Sequence, residues 1–282
     1  MSTYAVLNGK MVKEDAISIS PNNRSFRYGD GFFETIKVVN GKMVLGDYHF
    51  LRLFSSLSIL GFDIPSTITR EYFQNFIEQL VIKNGHPKLA RIRLTIFRGD
   101  GGIYDQVSQY PNHLIQSWPL ENSVNQLNEN GLVTDVYLKA RKVCDEFSQV
   151  KSNNFLCYAM AALWAKSHKL NDCLLLNPYN NVADSTIANV FIVVDGVIKT
   201  PPLSDGPVGG VTRKYLLEHL SSLGIPCIET SVTIDEVGQA SEIFLTNAIS
   251  GIKWVKSFGV KQYTNTISAY IYKQLIRPLF NL

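Results

Sequence analysis

Lys151 stands where one pattern of the chain gives way to another. Before it, residues 132–143 alternate. Leu132, Thr134, Val136, Leu138 and Ala140 fall on one side and Asp135, Tyr137, Lys139 and Arg141 on the other, the period of a half-buried strand. After it, Leu156, Ala159, Met160, Leu163 and Trp164 recur at helical spacing, with Ser152 or Asn153 placed to cap the first turn. A lysine at such a junction is either a solvated surface residue or, where water is kept away, an amine that sheds its proton to act as nucleophile or base. Downstream come an acidic residue, Asp184, a Ser185-Thr186 pair and Asn189-Val190-Phe191. A second signal is Gly209-Gly210-Val211-Thr212. Two glycines let the backbone approach a ligand closely. The helix that follows offers an anion its unpaired N–H groups and the positive end of its dipole. The plain alternative is a glycine loop with Thr212 as helix cap. Arg52 is the third. It falls opposite the apolar stripe Phe50, Leu53, Phe54, Leu57 and Leu60 of a helix predicted over residues 48–60. It is either solvated or, facing a cleft, a planar five-donor ligand suited to phosphate.

The elements that position these residues can be read in order. Residues 4–8 and 10–12 pair as a hairpin through Asn8-Gly9, and residues 16–20 read as a further strand. The stretch 21–31 is too long and glycine-rich for a simple turn. Its Gly29 and Gly31 precede a strand rather than follow one, which does not fit a dinucleotide fingerprint. Strands over 32–39 and 42–45 meet at Asn40-Gly41, and the helix over 48–60 ends at Gly61. A cleaner helix over 69–84 carries Phe73, Phe76, Ile77, Leu80 and Val81 at core spacing. Residues 88–97 alternate Ala90, Ile92, Leu94 and Ile96 against Arg91, Arg93, Thr95 and Phe97, and Arg98-Gly99-Asp100-Gly101-Gly102 follows as a flexible loop. Residues 119–130 are polar and aperiodic. They predict a linker between an N-terminal α/β domain over 1–118 and a C-terminal domain over 131–282. The second half reads as a hairpin (189–194, 197–199), a helix (212–223), strands over 225–230, 242–246 and 251–255, and a closing helix over 266–280.

At 282 residues the chain is long enough for two domains, and 45% hydrophobic with 18% charged residues fits a soluble globular protein. A net charge of +3, with no basic run, argues against nucleic acid as partner. No apolar run is of membrane-spanning length and no leader pattern opens the chain, so a cytoplasmic protein is expected. Cys144, Cys157, Cys173 and Cys227 form no CxxC pair and read as reduced thiols. The five histidines show no ligand spacing, so no metal site is expected.

Several separated motifs together resemble one family. Tyr28-Gly29-Asp30-Gly31, the Phe33-Glu34 pair, Asn40-Gly41 and His49-x-x-Arg52-Leu53 have the layout of the N-terminal segment of the class IV aminotransferases, the fold-type IV pyridoxal-phosphate enzymes. Gly210-Val211-Thr212-Arg213 resembles the family's second phosphate segment, and Thr246-Asn247-Ala248 the turn of its third. The resemblance covers nearly the whole chain. It implies an α/β architecture of mixed sheets, with a smaller N-terminal and a larger C-terminal domain and pyridoxal 5'-phosphate in the cleft between them. It also implies a homodimer. Lys151 would be the Schiff-base lysine and Asp184 the counterion of the pyridine nitrogen. Arg52, the N–H groups of Val211 and Thr212, the Thr212 hydroxyl and Asn247 would hold the phosphate. Three positions depart from the family. Asp184 replaces the usual glutamate, Phe33 stands where the D-amino-acid branch has a substrate-binding tyrosine, and Val208 stands where a leucine often packs on the ring.

The family divides into transaminases of branched-chain or D-amino acids and aminodeoxychorismate lyase, which makes 4-aminobenzoate and pyruvate on the route to folate. Arg98-Gly99-Asp100-Gly101-Gly102 and Thr246-Asn247-Ala248 look like the lyase's loop and turn, so the lyase is the expected activity. Arg98 is the expected ligand of a substrate carboxylate, with Phe33 also at the substrate. Ile103 stands where the lyase often has an arginine. An aminotransferase returning its cofactor with 2-oxoglutarate is the alternative, and a non-catalytic binding protein on the same fold the outside one.

Overall fold

The computed structural model describes residues 3–280. The chain forms two compact units. One takes the chain up to Asn122 together with Val150–Asn154; the other takes Ser123–Gln149 and the chain from Phe155 onward.

The first unit is built on β1 (Tyr4–Leu7), β2 (Lys10–Lys13), β3 (Gly31–Val39), β4 (Lys42–Met43), β5 (Leu89–Phe97) and β6 (Asn112–Pro119), an antiparallel sheet in the order β2-β1-β6-β5-β3-β4. Its helices are α1 (Arg24–Tyr28), α2 (Gly46–Ile59) and α3 (Arg70–Lys83). Alternation decides which face is core. Phe32, Ile36 and Val38 of β3 and Ala90, Ile92, Leu94 and Ile96 of β5 bury with Phe50, Leu53 and Leu57 of α2 and Phe73, Ile77, Leu80 and Val81 of α3. Each of these side chains larger than Ala90 contributes about 1.5–3 kcal/mol on leaving water. Thr69 starts α3, its hydroxyl accepting the N–H of Tyr72. Residues 16–20 are not a strand. A single helical turn fills Glu14–Ala16, and three apolar residues are too short a run to decide a period. The stretch expected to be irregular contains α1, capped by Asn23 Oδ1 accepting from the N–H groups of Ser25 and Phe26.

The second unit holds β7 (Leu132–Tyr137), β8 (Asp172–Leu176), β9 (Val182–Ser185), β10 (Asn189–Val194), β11 (Val197–Thr200), β12 (Cys227–Glu229), β13 (Glu242–Asn247), β14 (Gly251–Phe258) and β15 (Lys261–Gln262). They make a mixed sheet in the order β12-β11-β10-β13-β14-β7-β8-β9, with β15 beside β14. Its helices are α4 (Leu156–Ser167), α5 (Val211–His219), α6 (Ile234–Gln239) and α7 (Thr266–Ile271), the last continued by further turns to Phe280. Strands β7 and β8 are parallel, so the chain between them must cross over, and that crossover carries Lys151.

Four expectations change here. The strand expected over 132–143 ends at Tyr137. Helix α4 turns Tyr158, Ala161 and Ala165 inward, while Leu156, Met160 and Leu163 face solvent. The helix is apolar round most of its circumference, so period alone does not choose a face. The small Ala161 and Ala165 let it lie close on β8, where Cys173 Sγ donates to Ala161 O at 3.4 Å. Neither Ser152 nor Asn153 caps α4; Asn153 Nδ2 donates to Ser25 Oγ instead. The stretch expected as a linker is tied to the second unit, where Asn128 exchanges hydrogen bonds with the Trp254 backbone at 2.9 and 3.0 Å. The four cysteines are free thiols. No helix among the described residues is long and apolar enough to cross a membrane.

Candidate active site

In the first unit, Val150–Asn154 lies along the start of β3. Phe33 N–H donates to Lys151 O at 3.0 Å and Asn153 N–H to Gly31 O at 2.8 Å. Gly31 is required here: its φ is 155°, and a Cβ would collide with Ile96 O. These main-chain bonds hold half-buried Lys151 with its Nζ 4.7 Å from the centre of the Phe33 ring.

Arg52 is held by a residue that sequence reasoning did not single out. Glu34 sits on the apolar face of β3, buried, where a carboxylate needs partners. His49 and Arg52, three residues apart on one face of α2, supply them. Arg52 Nε donates to Glu34 Oε1 at 2.7 Å and Nη2 to Oε2 at 2.6 Å, while His49 Nδ1 lies 2.6 Å from Oε2. Burial alone would push the Glu34 carboxyl up; Arg52 and His49 outweigh it and hold it at about 2. Burial also lowers the His49 pKa, against the pull of the Glu34 carboxylate. The two-point grip fixes the plane of the guanidinium. Glu34 is ionised well below its ordinary 4.5 in the fold, so its contribution is present above that pH and lost as pH falls from about 4.5 towards 2. Glu34→Gln should therefore lower the melting temperature at neutral pH, at a cost of about 3 kcal/mol. It should also flatten the acid side of the stability–pH profile. Melts recorded across that range check both.

The structure gives Arg98 a different task from the one expected. Its fork donates to Gln109 Oε1 at 2.7 Å and to Leu60 O, pairs with Asp30 at 3.2 Å, and lies 4.2 Å over the Phe62 ring. These contacts close the loop. Arg93 is the arginine that meets Phe33, with its Cζ 3.6 Å from the ring centre. Register explains the pair, because β3 sets Phe33 against Thr95 and Thr35 against Arg93, making Arg93 a diagonal neighbour. Arg93 makes no ion pair among the described residues, and burial, then the like charge of Arg91, lowers its pKa. An arriving anion would relieve that charge. The alternation of Arg91, Arg93 and Thr95 was the sequence signal for it.

In the second unit, buried Asp184 sits on β9 with three donors. Tyr158 OH and Val208 N–H reach Oδ2 at 2.9 and 2.7 Å, and Asn189 Nδ2 reaches Oδ1 at 2.8 Å. Burial pushes its carboxyl up to about 6, against the pull of the Lys142 ammonium and the three donors. Lys142, another residue missed in the sequence, is buried and donates to Gly206 O at 2.7 Å and Ser148 O at 3.2 Å. Asn189 Nδ2 also donates to Val208 O at 2.7 Å, so one amide ties Asp184 to the glycine loop. Gly210 then begins α5 with no side-chain cap, followed by buried Val211 and Thr212. Arg213 is turned onto Pro201 O and Glu229. A Cβ on Gly210 would collide with Asn189 Oδ1. Gly210→Ala should thus displace the amide that holds Asp184 and cost about 1–3 kcal/mol, read as a lower melting temperature. Asn247 uses its Oδ1 within its own turn, accepting from Ile249 and Ser250 N–H at 3.0 and 2.9 Å. Beside it, Thr246 Oγ1 is buried and has no partner among the described residues.

The two units therefore offer different chemistry. The first holds an amine and an uncompensated guanidinium on one aromatic ring, together with an oriented second guanidinium. The second holds a buried carboxylic acid and an open helix start.

Known proteins are similar to this chain in sequence and fold. The family model for amino-transferase class IV matches residues 31–258. The "Putative branched-chain-amino-acid aminotransferase" of Methanocaldococcus jannaschii is 30% identical over 247 residues, 87% of this chain and 84% of that protein. Aminodeoxychorismate lyase of Bacillus subtilis (strain 168) is 27% identical over 249 residues, 86% of this chain and 82% of that protein. Among solved structures, the branched-chain aminotransferase of Thermoproteus uzoniensis with norvaline superposes with a TM-score of 0.87 at 26% identity, covering 100% of this chain and 96% of that one. The chain belongs to the amino-transferase class IV family, and with it to the pyridoxal-phosphate-dependent enzymes.

Proposed function

We propose that this enzyme uses pyridoxal 5'-phosphate to act on a primary amine that carries a carboxylate, and that its reaction is the elimination converting 4-amino-4-deoxychorismate to 4-aminobenzoate and pyruvate. The residues fit the cofactor. It asks for a lysine amine, an anion site and an acid for its ring nitrogen. Lys151 is the amine and Arg52 a pre-oriented phosphate ligand. In the second unit, the uncapped start of α5 at Val211 and Thr212 and the unpartnered Thr246 Oγ1 suit an anion. The Asn247 side chain is occupied in its own turn, so only its backbone is left for the phosphate role. Val208 is fastened to Asp184 at the ring end.

The observation that carries the substrate class is the Phe33 ring with Lys151 on it at 4.7 Å and Arg93 at 3.6 Å. Arg93 receives the carboxylate bidentately and sets the amine-bearing carbon beside Lys151. Bound, the cofactor is an electron sink for the pair left behind when a proton leaves that carbon. Lys151 Nζ, once free, would take that proton and later return one. Asp184 keeps its charge next to the ring nitrogen. The turn Thr246-Asn247-Ala248 supports elimination. Asn247 closes it with its own side chain, and Ala248 brings no hydroxyl where transaminases more often have one.

Transamination is the second reading, favoured by Arg98. The loop that resembles the lyase's has a structural use for its arginine, so that likeness does not need the lyase's substrate. One assay separates the two. Incubation with 4-amino-4-deoxychorismate is expected to release 4-aminobenzoate. No release, with an amino acid instead converting the cofactor to its amine form and 2-oxoglutarate restoring it, would establish the transaminase. A homodimer belongs to the same reading and is supported by the solvent-facing Leu156, Met160 and Leu163 of α4. Light scattering on the purified protein is expected to return twice the chain mass, and a monomer would remove it.

A further inference from the structure

Tyr158 has no part in the reaction as described, yet its hydroxyl is buried against the acid that reaction uses. Its ring lies on the inner face of α4, stacked on Phe155 with centroids 4.2 Å apart and planes at 14°. The Lys142 ammonium is 5.7 Å from its centre. A carboxylate oxygen has two lone-pair sites. On Asp184, Oδ2 has both filled, by Tyr158 OH at 2.9 Å and Val208 N–H at 2.7 Å. Oδ1 has one filled, by Asn189 Nδ2 at 2.8 Å. One lone-pair site is left on this enclosed carboxylate, and it is on Oδ1.

We propose, resting on the cofactor reading above, that Tyr158 is a positioning residue: by filling Oδ2 it leaves Oδ1 as the single oxygen through which Asp184 can take the N–H of the cofactor's pyridine ring. Aspartate is one methylene shorter than the glutamate expected at this position. It has little slack to find the ring, so its orientation about the last side-chain bond decides whether contact is made. Tyr158 and Val208 grip one oxygen and Asn189 the other, which sets that orientation. The charged and titratable groups facing the carboxylate are Lys142 from the segment before Lys151 and Tyr158 from α4, with Cys157 alongside. Without the Tyr158 hydroxyl, Oδ2 becomes a second acceptor and the carboxylate is less well held as an anion. It turns more freely and takes a proton more readily.

The test compares pyridoxamine 5'-phosphate with its 1-deaza analogue, which carries a ring C–H in place of the nitrogen. Both bind without a covalent bond to Lys151, and their Kd values for the apoenzyme come from fluorescence titration. Wild type should hold the nitrogen compound about 10-fold tighter at pH 8, a difference expected of one charge-assisted hydrogen bond. In Tyr158→Phe the ratio should fall below about 3-fold and fade at a higher pH than in wild type, while affinity for the deaza compound stays the same. A merely structural role for Tyr158 would weaken binding of both compounds alike in Tyr158→Phe and leave their ratio unchanged. Should Tyr158→Phe not fold, Tyr158→3-fluorotyrosine keeps the shape and strengthens the donor, and the pH at which the ratio fades should move down. An unchanged ratio and pH profile in the Tyr158 variant overturns the proposal. A wild-type ratio near one with tight binding of both compounds also overturns it, and leaves the cofactor reading intact. Wild type binding neither compound removes the cofactor reading itself.

Discussion

Lys151→Ala should lower turnover by about 10⁴-fold or more while leaving the protein folded. The catalytic loss is large because one nitrogen has two duties, holding the cofactor and moving a proton at the substrate carbon, and each alone is worth orders of magnitude. The fold survives because Val150–Asn154 is attached through main-chain groups, Phe33 N–H to Lys151 O and Asn153 N–H to Gly31 O, which alanine and lysine offer equally. The melting temperature of the variant should stay within a few degrees of wild type. Turnover within tenfold of wild type would mean that another group carries the proton.

Arg93→Ala should raise KM for the carboxylate-bearing substrate about 100-fold, the effect of losing a bidentate, charge-assisted grip of about 3 kcal/mol. Arg98→Ala is the control. It removes the contacts to Asp30, Gln109 and Leu60, so it should lower the melting temperature and move KM less than about threefold. Steady-state kinetics on the two variants distinguishes them. A large KM effect at Arg98 with none at Arg93 would restore the assignment made from the loop motif.

Those two arginines show where sequence ceases to inform. Alternation placed Arg93 on a polar strand face, and the register of β3 with β5, which no single segment encodes, put it on Phe33. Arg98 carried a family-like motif, and only the folded loop shows its donors in use. Elements with one unambiguous period were legible: the helix expected over 69–84 is α3 and the strand over 88–97 is β5. Elements that failed had ambiguous or short patterns, as with the face of α4 and the strand expected over 16–20. Helix α6 was legible and unread. Thr233 and Glu236 form a capping box, a spacing visible in the bare sequence. Among the candidate site residues, Lys151, Arg52, Asp184 and the start of α5 were named from motifs. Glu34 and Asn189 were within quoted motifs without a task. The task appears when Glu34 is seen on an apolar strand face with Arg52 and His49 as its only means of being buried there.

Chemical mapping of the cofactor lysine puts the account at most direct risk. The holoenzyme is reduced with borohydride, digested, and searched by mass spectrometry for the pyridoxyl adduct. The adduct is expected on the peptide containing Lys151 and on no other. Lys142 is one competing buried lysine, held on Gly206 O and Ser148 O and close enough to Asp184 to feel its charge. An adduct on Lys142, or none at all, would contradict the assignment of Lys151 and the mechanism built on it.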